Sequence, residues 1–96
     1  MIKEKIKSDL VSAMKSRYEL EVRVLRYLLS QINYAEIDKK SELTDEEIVV
    51  ELQKEQKKRK EAIELFKRGN RNDLVTDEEN QLNVLARYLP QQLTND

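Results

Sequence analysis

The residues of this chain best equipped for chemistry lie in one stretch, 43–72, and they interrupt its pattern. At about 100° per residue, the helical advance, Ile48, Leu52, Ile63 and Phe66 fall on one side. The middle of that side should also be apolar. It holds Glu55, Gln56 and Arg59 instead. Glu55 and Arg59 are spaced to pair along a helix. Local rules fail most often at functional or strained sites, so this polar gap is the sharpest single clue. Its plain structural alternative is a buried or rim ion pair, or the end of the bundle.

The same stretch carries the chain's densest concentration of basic residues. Residues 54–71 hold eight bases against three acids, an excess of five positive charges in a chain of net charge −1. The rest of the chain is therefore acidic. Such polarity can present a basic face to an anionic partner. The candidates for contact with a polyanion such as a nucleic acid are Lys54, Lys57, Lys58, Lys60, Lys67, Arg68 and Arg71. The alternative is a solvated face with pairs such as Glu64–Arg68, and a basic end that complements the helix dipole.

Other chemistry is thinly represented. There is no cysteine, so disulfides, thiol catalysis and cysteine–zinc sites are excluded. There is no histidine, which removes the usual neutral-pH base and the commonest metal ligand. Neither a glycine-rich phosphate loop nor a GxSxG elbow occurs. Glu46/Glu47 and Glu78/Glu79 are acidic pairs of the kind that solvate a surface helix. No catalytic residue, metal ligand or cofactor is assigned.

The elements that position these residues read as helices. Charged residues make up 39% of the chain, and it has one Gly and one Pro, a composition typical of helical domains. Thr44 and Glu47 have the spacing of a capping box, and Asp45, Glu46 and Glu47 place acids in a first turn. Gly69 follows Lys67 and Arg68, as the left-handed residue after a helix commonly does. This predicts a helix over 45–68. Ile2, Ile6, Leu10 and Ala13/Met14 predict another over 2–15. Ser16, with Glu19, is expected to cap a third over 17–38. That one has two apolar stripes, so it should be central. Its Tyr27 and Tyr34 are expected to bury their rings and leave their hydroxyls at the edge.

The short connection at 39–43 implies antiparallel neighbours. Asn70 or Asn72 is expected to cap a last helix over 72–89, which Pro90 ends. The expected fold is all-α, an antiparallel bundle of three to four helices. It forms one domain over 1–89, with 90–96 a linker to a further helical domain that is absent. Residues 93–96 read like the start of another helix. No apolar run approaches the ~18 residues of a membrane span, and the N-terminus lacks a signal peptide's apolar core. A cytoplasmic location is expected.

Longer runs carry a resemblance. They are DLVSAMKSR, VLRYLLSQINYAEIDKK and LTDEEIVVELQKEQKKRKEAIELFKRGNRNDL, followed by E-x(2)-QLNVLARYLPQQL. The specific pieces are Arg59-Lys60-Glu61 leading to Phe66, the turn Gly69-x-Arg71-x-Asp73-Leu74, and Tyr88-Leu89-Pro90-x-Gln92-Leu93. In this order and spacing, the chain resembles the N-terminal domain of the GatB/YqeY-like family. The resemblance implies small helical proteins with a second domain like the tail of the amidotransferase B subunit. Tails of that kind contact tRNA. It therefore implies a non-catalytic module associated with tRNA or tRNA-dependent amidation. One alternative is a protein–protein interaction or oligomerisation module. Another is an accessory of a carbon–nitrogen ligase that uses glutamine as amido-N donor. The partners expected are tRNA, the amidotransferase or another protein, with no membrane.

Overall fold

The computed structural model describes residues 1–90. Among them are four helices and no strand: α1 (Ile2–Ser16), α2 (Glu19–Lys39), α3 (Asp45–Arg68) and α4 (Asn72–Ala86). The all-α bundle expected from periodicity is what forms. The expected linker beyond Pro90 and the helix start at 93–96 lie outside the described residues.

α3 begins where its local chemistry says it should. Thr44 Oγ1 accepts from the Glu47 N–H at 3.2 Å, and Glu47 Oε1 accepts from the Thr44 N–H at 2.9 Å. Both donors would otherwise lack partners at a helix start.

The other ends differ from expectation. Ser16 does not cap α2; it is the last residue of α1. Arg17 adopts a left-handed conformation (φ 59), and the Tyr18 N–H donates back to the Ala13 carbonyl at 3.0 Å. The backbone thus closes α1 by itself, and α2 starts at Glu19 with no side-chain cap. Gly69 is not left-handed: its φ is −88, and Asn70 takes that role with φ 56. The Arg71 N–H then reaches the Phe66 carbonyl at 2.9 Å. Asn tolerates this region because its short polar side chain bonds locally. With Asn70 in the corner, neither it nor Asn72 caps α4; Arg71 precedes that helix without a side-chain cap. α4 also stops earlier than Leu89. Its last residues tighten into i→i−3 bonds, Tyr88 N–H to Leu85 and Leu89 N–H to Ala86, before Pro90 removes the next donor.

The helices pair as two antiparallel hairpins. α1 packs on α2, α3 packs on α4, and α2 crosses α4. The main core joins Ile6, Ala13, Val24, Leu25, Leu28, Ile32, Ile48, Leu52, Val84, Leu85 and Tyr88. Ile63 and Val75 are buried outside that cluster, between the far parts of α3 and α4. Tyr88 is the one core aromatic, and its hydroxyl donates to Asp9 Oδ2 at 2.6 Å. Tyr27 and Tyr34 both depart from expectation: Tyr27 is 37% exposed, and Tyr34 is 66% exposed because α2 has no covering neighbour on that side.

Candidate nucleic-acid interface

The polar gap is real, and it is a three-helix junction. It lies on α3 between the main core and the Ile63/Val75 contact. Glu55 is 4% exposed, the one buried charged residue among those described. α3 supplies Glu55 and Arg59 one turn apart. α2 supplies Tyr27, whose hydroxyl is 3.5 Å from Glu55 Oε2. α4 supplies Glu78.

Arg59 stands among all three. It lies 3.5 Å from Glu55 Oε1, 3.6 Å from Glu78 Oε1, and 5.3 Å from the centre of the Tyr27 ring. These lengths satisfy charge pairing and cation–π contact but exceed a good N–H···O bond. Accordingly, Glu55 Oε1 and Glu78 Oε1 are buried with no hydrogen bond. Gln56, expected in the same gap, sits at its half-buried edge. Glu78 is the residue that sequence reasoning missed. As half of an acidic pair it looked like solvation. The α3/α4 hairpin turns it toward Arg59 and leaves Glu79 exposed.

The candidate RNA contacts separate into two groups. Lys54 is paired with Glu51 at 3.2 Å, and Lys58 lies 3.4 Å from Glu55. Arg71 grips Asp73 through two bonds of 3.2 and 3.1 Å. That guanidinium holds the Asp73 carboxyl below the usual carboxylate range. Lys57, Lys60, Lys67 and Arg68 are different. All four are exposed, and among the described residues no carboxylate lies within ion-pair distance of them. Lys57 and Lys60 border a shallow depression of ≈ 430 Å³ with Gln56. Exposed Glu61 and Glu64 lie among these cations. The expected Glu64–Arg68 pair is not formed.

This surface can attract phosphates. Its ammonium and guanidinium groups are solvated and uncommitted, so a polyanion displaces water and counterions rather than an internal partner. Among the described residues there is no cluster of acids that could hold a metal ion, and no helix is long and apolar enough to cross a membrane.

Comparison with known proteins gives the chain its place. It matches the model of one protein family, described as Yqey-like protein, over residues 3–96. It is 39% identical over 90 residues to an uncharacterised protein of Schizosaccharomyces pombe, covering 94% of this chain and 73% of that one. It is 38% identical over 87 residues to the altered inheritance of mitochondria protein 41, mitochondrial, of Lachancea thermotolerans, covering 90% of this chain and 46% of that protein. The protein of that name in Saccharomyces cerevisiae is 31% identical over 87 residues, with 47% of it covered. The chain thus spans less than half the length of these two mitochondrial relatives. With a family match running over nearly all of its length, the chain belongs to the Yqey-like protein family.

Proposed function

We propose that this chain is a non-catalytic helical module that binds RNA, with tRNA the class to test first, through the basic outer face of α3. The observation that carries the reading is the set of four exposed cations, Lys57, Lys60, Lys67 and Arg68, with no ion-pair partner among the described residues. They stand on one helix of a chain that is otherwise acidic. The resemblance to a family whose second domain is like a tRNA-contacting tail supports the choice of tRNA and of tRNA-dependent amidation as the setting. Cytoplasmic residence is part of this reading. The names of the Lachancea and Saccharomyces relatives make subcellular fractionation the appropriate check.

The test is a gel shift with tRNA across a salt series. Each phosphate contact should add about 0.7–0.9 to the slope of log K against log salt. The variant K57E/K60E/K67E should lose binding while its helical circular dichroism is unchanged, because all three side chains are exposed. Absence of binding by the parent chain even at low salt sinks the proposal.

A further inference from the structure

α3 has a second organised face, distinct from its buried stripe. Glu47, Val50, Lys54, Glu61, Leu65 and Arg68 fall within about 60° of one another at the helical advance of ~100° per residue. All six reach solvent. Val50 is 50% exposed and Leu65 63%, two of the larger apolar groups left uncovered. Near one end of the stripe, Val50 and Lys54 border an open groove of ≈ 660 Å³ between α2 and α3, with exposed Tyr34 opposite. The core uses none of these six and the RNA reading only Arg68, so Val50 and Leu65 in particular are left without a role.

Its order is informative. From the N-terminal end the stripe runs acid, apolar, base, acid, apolar, base. Laid antiparallel against itself, it is self-complementary. Glu47 meets Arg68, Val50 meets Leu65, and Lys54 meets Glu61, all in one register centred between Lys57 and Lys58. A self-complementary patch is what a two-fold interface requires. We propose that this stripe is a homodimer contact, in which a second copy of the chain lays its α3 antiparallel along the first. Each Val50 then packs on the partner subunit's Leu65, with the groove wall at Tyr34 beside it. Each Lys54 faces the partner subunit's Glu61, and each Glu47 the partner subunit's Arg68. From end to end the stripe covers roughly 32 Å at 1.5 Å per residue.

The contact is modest by design. Lys57 and Lys58 flank the axis, and each Lys57 opposes the partner subunit's Lys58, which costs some attraction. A single helix face also buries less than the ~800 Å² per partner of a standard interface. The dimer is therefore a reversible one. Lys60 and Lys67 lie off the stripe and stay open to solvent on the assembled pair. The inference does not rest on RNA binding, and its test contains no nucleic acid, so either reading can fail alone.

Sedimentation equilibrium of the whole chain, from ~10 μM to a few hundred μM, where complexes of this size associate, should show a monomer–dimer equilibrium. K54E and E61K should each weaken dimerisation by about tenfold, since each replaces two attractive pairs by two repulsive ones. The double variant K54E/E61K restores opposite charges across the axis and should return to within about threefold of the parent, given the small worth of exposed pairs. L65E should leave a folded monomer, judged by circular dichroism. A parent chain that stays monomeric throughout the range overturns the proposal. So does a double variant that associates no better than the single ones.

Discussion

Arg59 serves two carboxylates and a ring at once, and serves none of them at hydrogen-bond length. A buried ion pair is weak evidence for stability, because desolvation opposes the Coulomb gain. Removing one member is another matter, since it strands a charge. Arg59→Ala should therefore lower stability by about 3–5 kcal/mol, read from urea unfolding. The triple variant E55L/R59L/E78L removes every charge of the junction and should be as stable as the parent or more so. If the triple variant unfolds more easily than the parent, the junction is a source of stability after all. A different pair contributes to the loss of stability in acid. Lys3 Nζ lies 2.7 Å from Glu36 Oε1, and the Leu43 N–H donates to Glu36 Oε2 at 3.0 Å. The Lys3 ammonium first, then that N–H, hold the Glu36 carboxyl below its ordinary value of 4.5. A depressed carboxyl stabilises the fold above its unfolded pKa, and this is lost as pH falls through the folded value. Lys3→Met should then flatten the loss of stability below about pH 4.5, as followed by unfolding midpoints at several pH values.

Helix ends divide into those settled locally and those settled by the chain path. The start of α3 needed only Thr44 and Glu47, which is why it was legible. Thr44→Ala should cost about 0.5–2 kcal/mol. The turn after α3 was not legible at the level of single residues. Glycine at position 69 suggested a left-handed corner, yet the corner is Asn70. The path of the following residues decided it, because the Arg71 N–H must reach the Phe66 carbonyl for α4 to fold back on α3. A Cβ on Gly69 would meet nothing nearer than 3.8 Å, and the φ of −88 suits any residue. Gly69→Ala should thus stabilise by about 0.4–1 kcal/mol, mainly by restricting the unfolded chain. Asn70→Ala should destabilise by up to roughly 1–2 kcal/mol, the cost of the left-handed region for a residue without asparagine's short polar side chain. Equal effects of opposite sign to these, in thermal or urea midpoints, would reverse the assignment. The starts of α2 and α4 were misread for the same reason: side-chain caps from Ser16 and from Asn70 or Asn72 were expected, but the backbone bond from Tyr18 closes α1 and neither start has a side-chain cap.

At the scale of the molecule, two hairpins share one apolar core, and α3 runs past it. α3 is the longest helix, at 24 residues. Its first half packs with α1 and α2 and its second half with α4, and the Glu55–Arg59–Glu78 junction falls where those regimes meet. This geometry leaves the outer face of α3 uncovered along its length. RNA binding and self-association are both read from that face; they share Arg68, while Lys60 and Lys67 lie at other angles around the same rod. The sequence by itself determined the helical class, the position of α3, the absence of thiol and imidazole chemistry, the family and the concentration of basic charge. These follow from composition and from interactions within a turn or two of helix. Only the tertiary structure decided that Glu78 rather than Glu79 turns inward to Arg59, that Tyr34 is open, and that Lys57, Lys60, Lys67 and Arg68 lack the partners that Lys54, Lys58 and Arg71 have. Those outcomes depend on which face meets which neighbour across long stretches of chain, and periodicity along one helix carries no record of its neighbours.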